Sequence, residues 1–398
     1  MDVKHALFFA GMLLVWALAH FWAASRLGLL FHLRRWSFWA TLGGMALLGF
    51  SYVPARMLEK SNLPGLASVL ETLASVWMAL FIVLMLVLGL LEVLNLVLGL
   101  TRPLTGVAPL WSRVTSTQGF VPGGVALLLL VLVLTAAGHL AALSPRLVRL
   151  QIDRQGAPSA TPPAPANAQK TRLLFLSDLH LGSAGSRLFL AKALELGLPT
   201  QPHAVLLGGD ILEHNREDTW AQFDQLLGAF PDTRFYLVFG NHEVYANTVW
   251  LTRALATRPR VRLLRNESLA LAPGLRLAGA DTKESTPTEE ALPATLSQVR
   301  PEDLLLLLWH RPGEAALLAN RPRTVVLSGH THGGQIFPMT LLAPLANGGF
   351  RGGLHQLGPQ SVLHVSNGAG LWGPPIRLGA PPDLVLLELD LPPGGPLP

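Results

Sequence analysis

The chain has 398 residues, of which half are apolar and only 14% are charged, and this composition excludes a purely soluble protein. It contains no cysteine, which excludes disulfides and thiolate-bound zinc, so a metal ion would have to bind His, Asp, Glu or Asn side chains. The net charge of +5 arises before residue 170, and the nearly neutral remainder has no basic stripe, which excludes nucleic acid as a partner.

Four apolar segments dominate the first part of the chain, and each has about the 20 residues that a helix needs to cross a bilayer. They predict an all-α membrane region of about four transmembrane helices over residues 1–143, in contact with the lipid bilayer. The flanking Lys and Arg residues are nearly balanced between the two sides, so the orientation stays open. The segments cover Ala6–Ala24, Trp36–Val53, Leu73–Leu91 and Val125–Leu143.

The composition changes twice after the last apolar segment. Residues 144–169 are rich in Pro, Ala, Ser and Thr and have little to bury, which predicts a linker. Over residues 170–398, short apolar runs alternate with helical patterns, which predicts an α/β domain. The predicted strands are Arg172–Leu176, Ala204–Leu207, Phe235–Phe239, Val261–Leu264, Ser268–Leu271, Leu275–Ala278, Leu304–Leu308, Thr324–Leu327, Ser361–Val365 and Leu384–Leu389.

Five of these strands are followed at once by polar side chains that are good metal ligands. Because the carboxyl ends of strands in an open α/β sheet share one edge, we expect these side chains to converge. Carboxylates, an amide and imidazoles suit Mn, Fe or Zn better than Ca, and about seven of them suit two ions better than one. The polar groups are Asp178 with His180, Asp210, Asn241 with His242 and Glu243, His310, and His330 with His332.

These motifs resemble those of the calcineurin-like metallophosphoesterases. The family set comprises Asp-x-His, Gly-Asp, Gly-Asn-His-Glu, an isolated His after a strand, and the Gly-His-Thr-His-Gly-Gly-Gln of residues 329–335. The segments 365–370 and 373–381 are similar to the bacterial membrane-linked branch of that family, which implies an integral protein of the bacterial cytoplasmic membrane. The resemblance covers about residues 171–391 and implies a sandwich of two β-sheets flanked by helices.

The resemblance also implies a role for each polar group. His242 would lie beside the substrate, where it donates to phosphate or protonates the leaving oxygen. Relatives often have Asp where this chain has Glu243, and we expect little effect because that side chain is not a ligand. His364 stands where relatives often have an aromatic residue, and no role is assigned to it. The implied metal ligands are Asp178, His180 and His332 for one ion, Asn241, His310 and His330 for the other, and Asp210 as the bridge.

These features predict a membrane-anchored hydrolase that uses two divalent metal ions, Mn, Fe or Zn, to cleave phosphomonoesters or phosphodiesters. Two adjacent cations lower the pKa of a bridging water and neutralise the phosphate, so direct attack by the bridging hydroxide needs no side-chain nucleophile. The membrane location favours a lipid-linked substrate. Arg311 and Arg377 are candidates to bind its phosphate or head group.

A different class of function is a membrane transporter or sensor whose soluble domain binds metal without turnover. The complete ligand set together with His242 favours the phosphoesterase. A metallo-β-lactamase-like hydrolase is rejected, because His330-Thr331-His332 is followed by Gly-Gly-Gln and not by the further Asp and His that this class requires.

Overall fold

The computed structural model describes residues 3–58, 64–112, 121–153, 156, 158 and 170–389. The chain divides into two compact units. One comprises Met1–Gly138 with Gly373–Pro375, and the other comprises His139–Trp372 with Ile376–Pro398. The long apolar helices belong to the first unit, and the strands of the described residues belong to the second.

The first unit is helical because its sequence consists of long apolar runs, whose backbone polar groups must pair within the segment if they are to enter a bilayer. Four helices are long and apolar enough to cross a membrane, which confirms the predicted number. The third of them is much longer than predicted. The helices are α1 (Val3–Leu30), α2 (Arg35–Phe50), α3 (Tyr52–Leu58), α4 (Pro64–Thr105) and α5 (Val121–Ala142), the last of which continues into the second unit.

The extra length of α4 includes Glu92, a carboxylate within an apolar helix. Its Oε1 lies 2.5 Å from Nε of Arg26, and its Oε2 accepts a hydrogen bond of 3.0 Å from the indole of Trp111. An ionised group in an apolar environment requires such partners. The pairing therefore explains how the helix continues through a charged position.

Two six-stranded sheets form the second unit, and they confirm the two-sheet α/β fold implied by the family resemblance. The first sheet has the order β1-β12-β2-β3-β4-β5, and the second has the order β10-β11-β9-β8-β7-β6. The strands are β1 (Arg146–Ile152), β2 (Thr171–Leu176), β3 (Ala204–Leu207), β4 (Arg234–Leu237), β5 (Val261–Leu263), β6 (Glu267–Ala272), β7 (Leu275–Ala280), β8 (Leu304–Trp309), β9 (Thr324–Ser328), β10 (Gly353–Gly358), β11 (Ser361–Val365) and β12 (Asp383–Leu389).

The main hydrophobic core lies between the two sheets, and helices cover their outer faces. In β2, Leu173 and Phe175 face the core between the sheets, whereas Leu174 and Leu176 pack among the residues of the outer helices. Burial of both faces explains why these strands are continuous apolar runs. The helices of this unit are α6 (Ser186–Gly197), α7 (Glu217–Ala229), α8 (Asn241–Ala246), α9 (Thr248–Ala256), α10 (Thr288–Leu296) and α11 (Met339–Ala346).

Two strands were missed by the sequence analysis. Strand β1 lies inside the predicted linker and pairs in parallel with β12, from Arg146 beside Asp383 to Ile152 beside Leu389. The Pro-rich composition that follows it concealed this short strand. Strand β10 begins and ends with glycine, which gives a weak strand signal. Most of residues 153–169 lie outside the described residues, and the limits 1–143, 144–169 and 170–398 otherwise stay a prediction.

His364 on β11 is a buried imidazole in an apolar setting. The side chain is 2% exposed, and neither ring nitrogen has a hydrogen-bond partner within the part of the chain that the structure describes. Burial, with a smaller effect of His355, lowers the pKa of His364 to about 4. The folded state therefore holds this ring neutral at a pH where the unfolded chain has already bound a proton.

We expect His364→Phe to protect the second unit against acid. In the wild type, stability is lost as the pH falls from about 6.5 towards 4, by about 3 kcal/mol for a shift of this size. The difference in melting temperature between variant and wild type should therefore grow on acidification. His355→Phe, on the neighbouring strand, is the control: it leaves the buried His364 in place, and because His355 has only the smaller effect, most of the loss in acid should remain. A difference that does not depend on pH would contradict the prediction.

Candidate metal centre

The polar groups predicted as ligands lie in the loops that follow five strands, three in one sheet and two in the other. Strands β2, β3 and β4 of the first sheet lead to Asp178, Asp210 and Asn241, whereas β8 and β9 of the second lead to His310 and His330. The expectation of one shared sheet edge was therefore too simple. The loops of both sheets meet, because the backbone N–H of His330 donates to Oδ1 of Asp178 at 3.0 Å.

Two clusters of side chains hold ligand atoms that all lie within 4.8 Å of one another. In the first cluster, Nε2 of His332 is 3.1 Å from Nε2 of His180 and 3.5 Å from Oδ1 of Asp178. In the second, Nε2 of His310 is 3.0 Å from Oδ2 of Asp210. The two clusters consist of Asp178, His180 and His332, and of Asp210, His310 and His330.

A third group links the two clusters. It contains His180, Asp210 and His242, and its ligand atoms are also within 4.8 Å of one another. Asp210 thus belongs to the second cluster and to the linking group, and its Oδ1 accepts a hydrogen bond of 2.8 Å from the backbone N–H of His242. This position is compatible with the bridging role that the resemblance implies for Asp210.

Asn241 supplies an independent test of whether the site fits a metal ion. Its side chain is 6% exposed, and Oδ1 has no hydrogen-bond partner among the residues that the structure describes. Leaving a buried carbonyl oxygen without a partner costs about 1–3 kcal/mol, so such an oxygen is expected to have a partner, and a metal ion would provide one. An amide oxygen, carboxylates and imidazoles together form a donor set that divalent Mn, Fe and Zn accept.

Two histidines of the site, His330 and His332, are in the neutral form that a metal ion needs. For His310, in contrast, burial is outweighed by the charge of Asp210, which raises the pKa of that ring to about 9. Burial, followed by the charge of His310, lowers the pKa of His330 to about 3. Burial and the guanidinium of Arg377 lower the pKa of His332 well below its usual range. Both rings are therefore neutral and keep a lone pair for coordination.

The backbone of the site is strained. Five residues that are not glycine have a φ between 45° and 69°, in the left-handed region that side chains disfavour. Gly240 is required for a different reason, since a Cβ there would overlap Oδ1 of Asp210. Backbone strain of this kind concentrates at functional sites. The five strained residues are Asp178, His180, Asp210, His330 and His332.

Glu213 is a site residue that the sequence analysis missed. Its Oε2 lies 2.7 Å from Nδ1 of His180 and 2.8 Å from Nδ1 of His242. Burial opposes ionisation of Glu213, but the hydrogen bonds to the two imidazoles lower the pKa of its carboxyl group. One carboxylate therefore orients a predicted ligand and the predicted substrate-binding histidine. Its position three residues after Asp210 was the available signal.

Glu243 has a larger structural role than expected. It is fully buried, and its carboxylate accepts hydrogen bonds from four backbone N–H groups at 2.6 to 2.9 Å. The side chain therefore holds the loop after β3 against the loop after β4, although it is not placed to bind an ion. The four donors are the N–H groups of Asp210, Ile211, Leu212 and Gly240.

The two arginines predicted to bind substrate have different positions. Arg377 is 1% exposed, and its guanidinium donates to the carbonyl oxygens of His332 and Gly370 at 2.7 Å, with longer bonds to those of Gly368 and Ala380. This corrects the prediction, because donors committed to buried carbonyl groups cannot also bind substrate. Arg311 is partly exposed and pairs with Glu284 at 2.8 Å.

Comparison with known proteins agrees with the geometry. The calcineurin-like phosphoesterase profile matches residues 171–334. An uncharacterized metallophosphoesterase of Campylobacter jejuni is 34% identical over 55% of this chain and 59% of its own length. A bovine "transmembrane protein with metallophosphoesterase domain" is 30% identical over 58% of this chain and 55% of its length.

A third relative is shorter. The Escherichia coli "phosphodiesterase YaeI" is 26% identical over 56% of this chain and 83% of its own length. The chain spans about 60% of the length of the Campylobacter and Helicobacter relatives that it matches. Residues 171–334 are thus similar to the calcineurin-like phosphoesterases, and the fold and the converging ligands agree with that match.

Proposed function

We propose that this chain is a membrane-anchored phosphoesterase that uses two divalent metal ions to hydrolyse phosphomonoesters or phosphodiesters. The observation that carries the proposal is the shared site itself, in which two ligand clusters are linked through Asp210. Asp178, His180 and His332 would hold one ion and Asn241, His310 and His330 the other. When bound, the ions would supply an activated water and neutralise the charge of the phosphate.

The side chains of the protein would position the substrate and its protons. Because Glu213 engages Nδ1 of His242, Nε2 of that ring is left for a phosphate or leaving-group oxygen. Arg311 directly follows His310 in the chain, and its side chain is 20% exposed. It is therefore a better candidate than Arg377 for a second contact with the substrate. Its ion pair with Glu284 would hold the guanidinium in place.

A lipid-linked phosphoester is the substrate class that the location favours. The same chain carries four helices long and apolar enough to cross a membrane, so its site would work beside a bilayer. The name of the Escherichia coli relative points to a diester bond. Manganese, iron and zinc all accept this donor set.

Hydrolysis of p-nitrophenyl phosphate and of its bis ester tests the proposal. The metal-stripped chain should be inactive and should recover activity when Mn²⁺, Fe²⁺ or Zn²⁺ is added. Asp210→Asn should lower activity by at least about 100-fold, as should His242→Ala. Asp224→Asn is the matched control, since Asp224 pairs with Arg258 at an exposed position. A wild type that binds two ions but turns over neither ester would contradict the proposal and favour a metal-binding sensor.

A further inference from the structure

We propose that helix α11 and Phe337, two residues before it, form a surface that docks onto a lipid bilayer beside the metal centre. This inference rests on the proposed function, because it concerns how a lipid-linked phosphoester reaches that site. The α11 surface consists of Phe337, Met339, Leu341, Leu342 and Leu345.

The α11 surface is apolar where a soluble domain would be polar. Leu345 is 79% exposed, Leu341 60% and Met339 52%. No Asp, Glu, Lys or Arg occurs between His332 and Arg351. A surface helix of a soluble domain normally presents polar side chains on its outer face. The composition of α11 therefore calls for an apolar partner.

The geometry of α11 fits a helix that lies flat in a membrane interface. At 100° per residue, Leu341, Leu342 and Leu345 project from one side, whereas Pro344 projects from the other and is buried. The helix thus packs on its own domain with one face and leaves the other apolar. Interfacial helices bury such a face at the boundary between head groups and acyl chains.

The α11 surface borders the metal centre. The chain passes from His332 to α11 within seven residues, and Phe337 N donates to Leu378 O at 2.8 Å. Gln335 lies between His332 and α11 in the chain, and its Nε2 donates to the carbonyl oxygen of Trp372 at 3.0 Å. The ring of Trp372, which is 56% exposed, has its centroid 5.9 Å from that of His242. An exposed aromatic residue beside the site therefore contacts the segment that leads into α11.

The bilayer is the occupant that the chain itself provides. Helix α5, which is long and apolar enough to cross a membrane, ends at Ala142, and strand β1 begins at Arg146. Residues 143–145 between them can span only about 10 Å. The domain is therefore held next to lipid at all times, and an exposed apolar helix on a permanently tethered domain gains by entering it.

A single fluorophore can test this in the full chain. Because the chain has no cysteine, Leu345→Cys can be labelled specifically with an environment-sensitive dye. The labelled protein is placed in nanodiscs of phosphatidylcholine and phosphatidylglycerol, with and without doxyl groups on the acyl chains. We expect a blue shift and a loss of emission with the doxyl lipids. Leu198→Cys is the control and should show neither change. Leu198 is 43% exposed and precedes the N-terminal end of β3, whereas the metal centre follows the C-terminal end of that strand.

Two outcomes would overturn the proposal. Water-like emission at position 345 in nanodiscs would show that the surface stays in solvent. A blue shift without quenching by the doxyl lipids would show that protein, such as a second copy of the chain, covers it. Turnover of bis-p-nitrophenyl phosphate by both labelled variants is measured in parallel. Turnover shows that the variants are folded and that the proposed function holds, so failure of membrane docking can be told apart from failure of the proposed function.

Discussion

Glutamine in place of Glu213 is expected to lower kcat/KM for phosphoester hydrolysis by about 100-fold or more. The carboxylate of Glu213 contacts Nδ1 of both His180 and His242 and so fixes the orientation of two rings. A neutral amide is a weaker acceptor and can also present its NH₂ group to these nitrogens. Steady-state kinetics with the bis ester, together with the metal content of each variant, measure the effect.

A double-mutant cycle separates positioning from a general loss of structure. If Glu213 acts through His242, Glu213→Gln combined with His242→Ala should lose much less activity than the two single losses added together. Glu195→Gln, on the exposed face of α6, is the matched control and should leave the rate unchanged. Additive losses would contradict the positioning role.

Glu243→Ala is expected to lower the free energy of unfolding of the second unit by about 4 kcal/mol or more, because it removes the acceptor of four buried N–H groups. Thermal unfolding of the detergent-solubilised chain measures the loss. Metal content should fall as well, since Asp210 and Asn241 lie on the two loops that Glu243 joins.

The control for this prediction is Glu195→Ala, which removes an exposed carboxylate that pairs with Lys192. Glu243→Asp should recover part of the stability by keeping a carboxylate. Equal melting temperatures for Glu243→Ala and Glu195→Ala would show that water replaces the lost acceptors without cost.

Local pattern explains why so much of the candidate site could be predicted. Strands such as Leu304–Trp309 are apolar on both faces, and a polar residue such as His310 at the end of such a run marks where the chain leaves the core. The same logic located Asp178, Asp210 and Asn241. The apolar runs do not predict which strands share a sheet, because strand pairing depends on contacts between distant segments.

The features that could not be predicted all depend on partners far away in the sequence. Arg377 reads as a free cation until the carbonyl group of His332, which lies far earlier in the chain, is seen beside its guanidinium. Glu243 reads as a residue without a role at the site until its four hydrogen-bond donors are placed. Burial and hydrogen bonding of a charged residue follow from tertiary structure and leave no periodic trace in sequence.

The parallel pairing of β1 with β12 determines how a water-soluble fragment should be cut. A fragment that starts at Lys170 would remove β1 and leave the backbone of β12 unpaired along one side. Unprotected strand edges recruit other strands and promote aggregation. Starting the fragment just ahead of Arg146 keeps β1 as the edge strand of that sheet, and the charged Arg146 and Arg149 on β1 protect this edge better than the apolar β12 would.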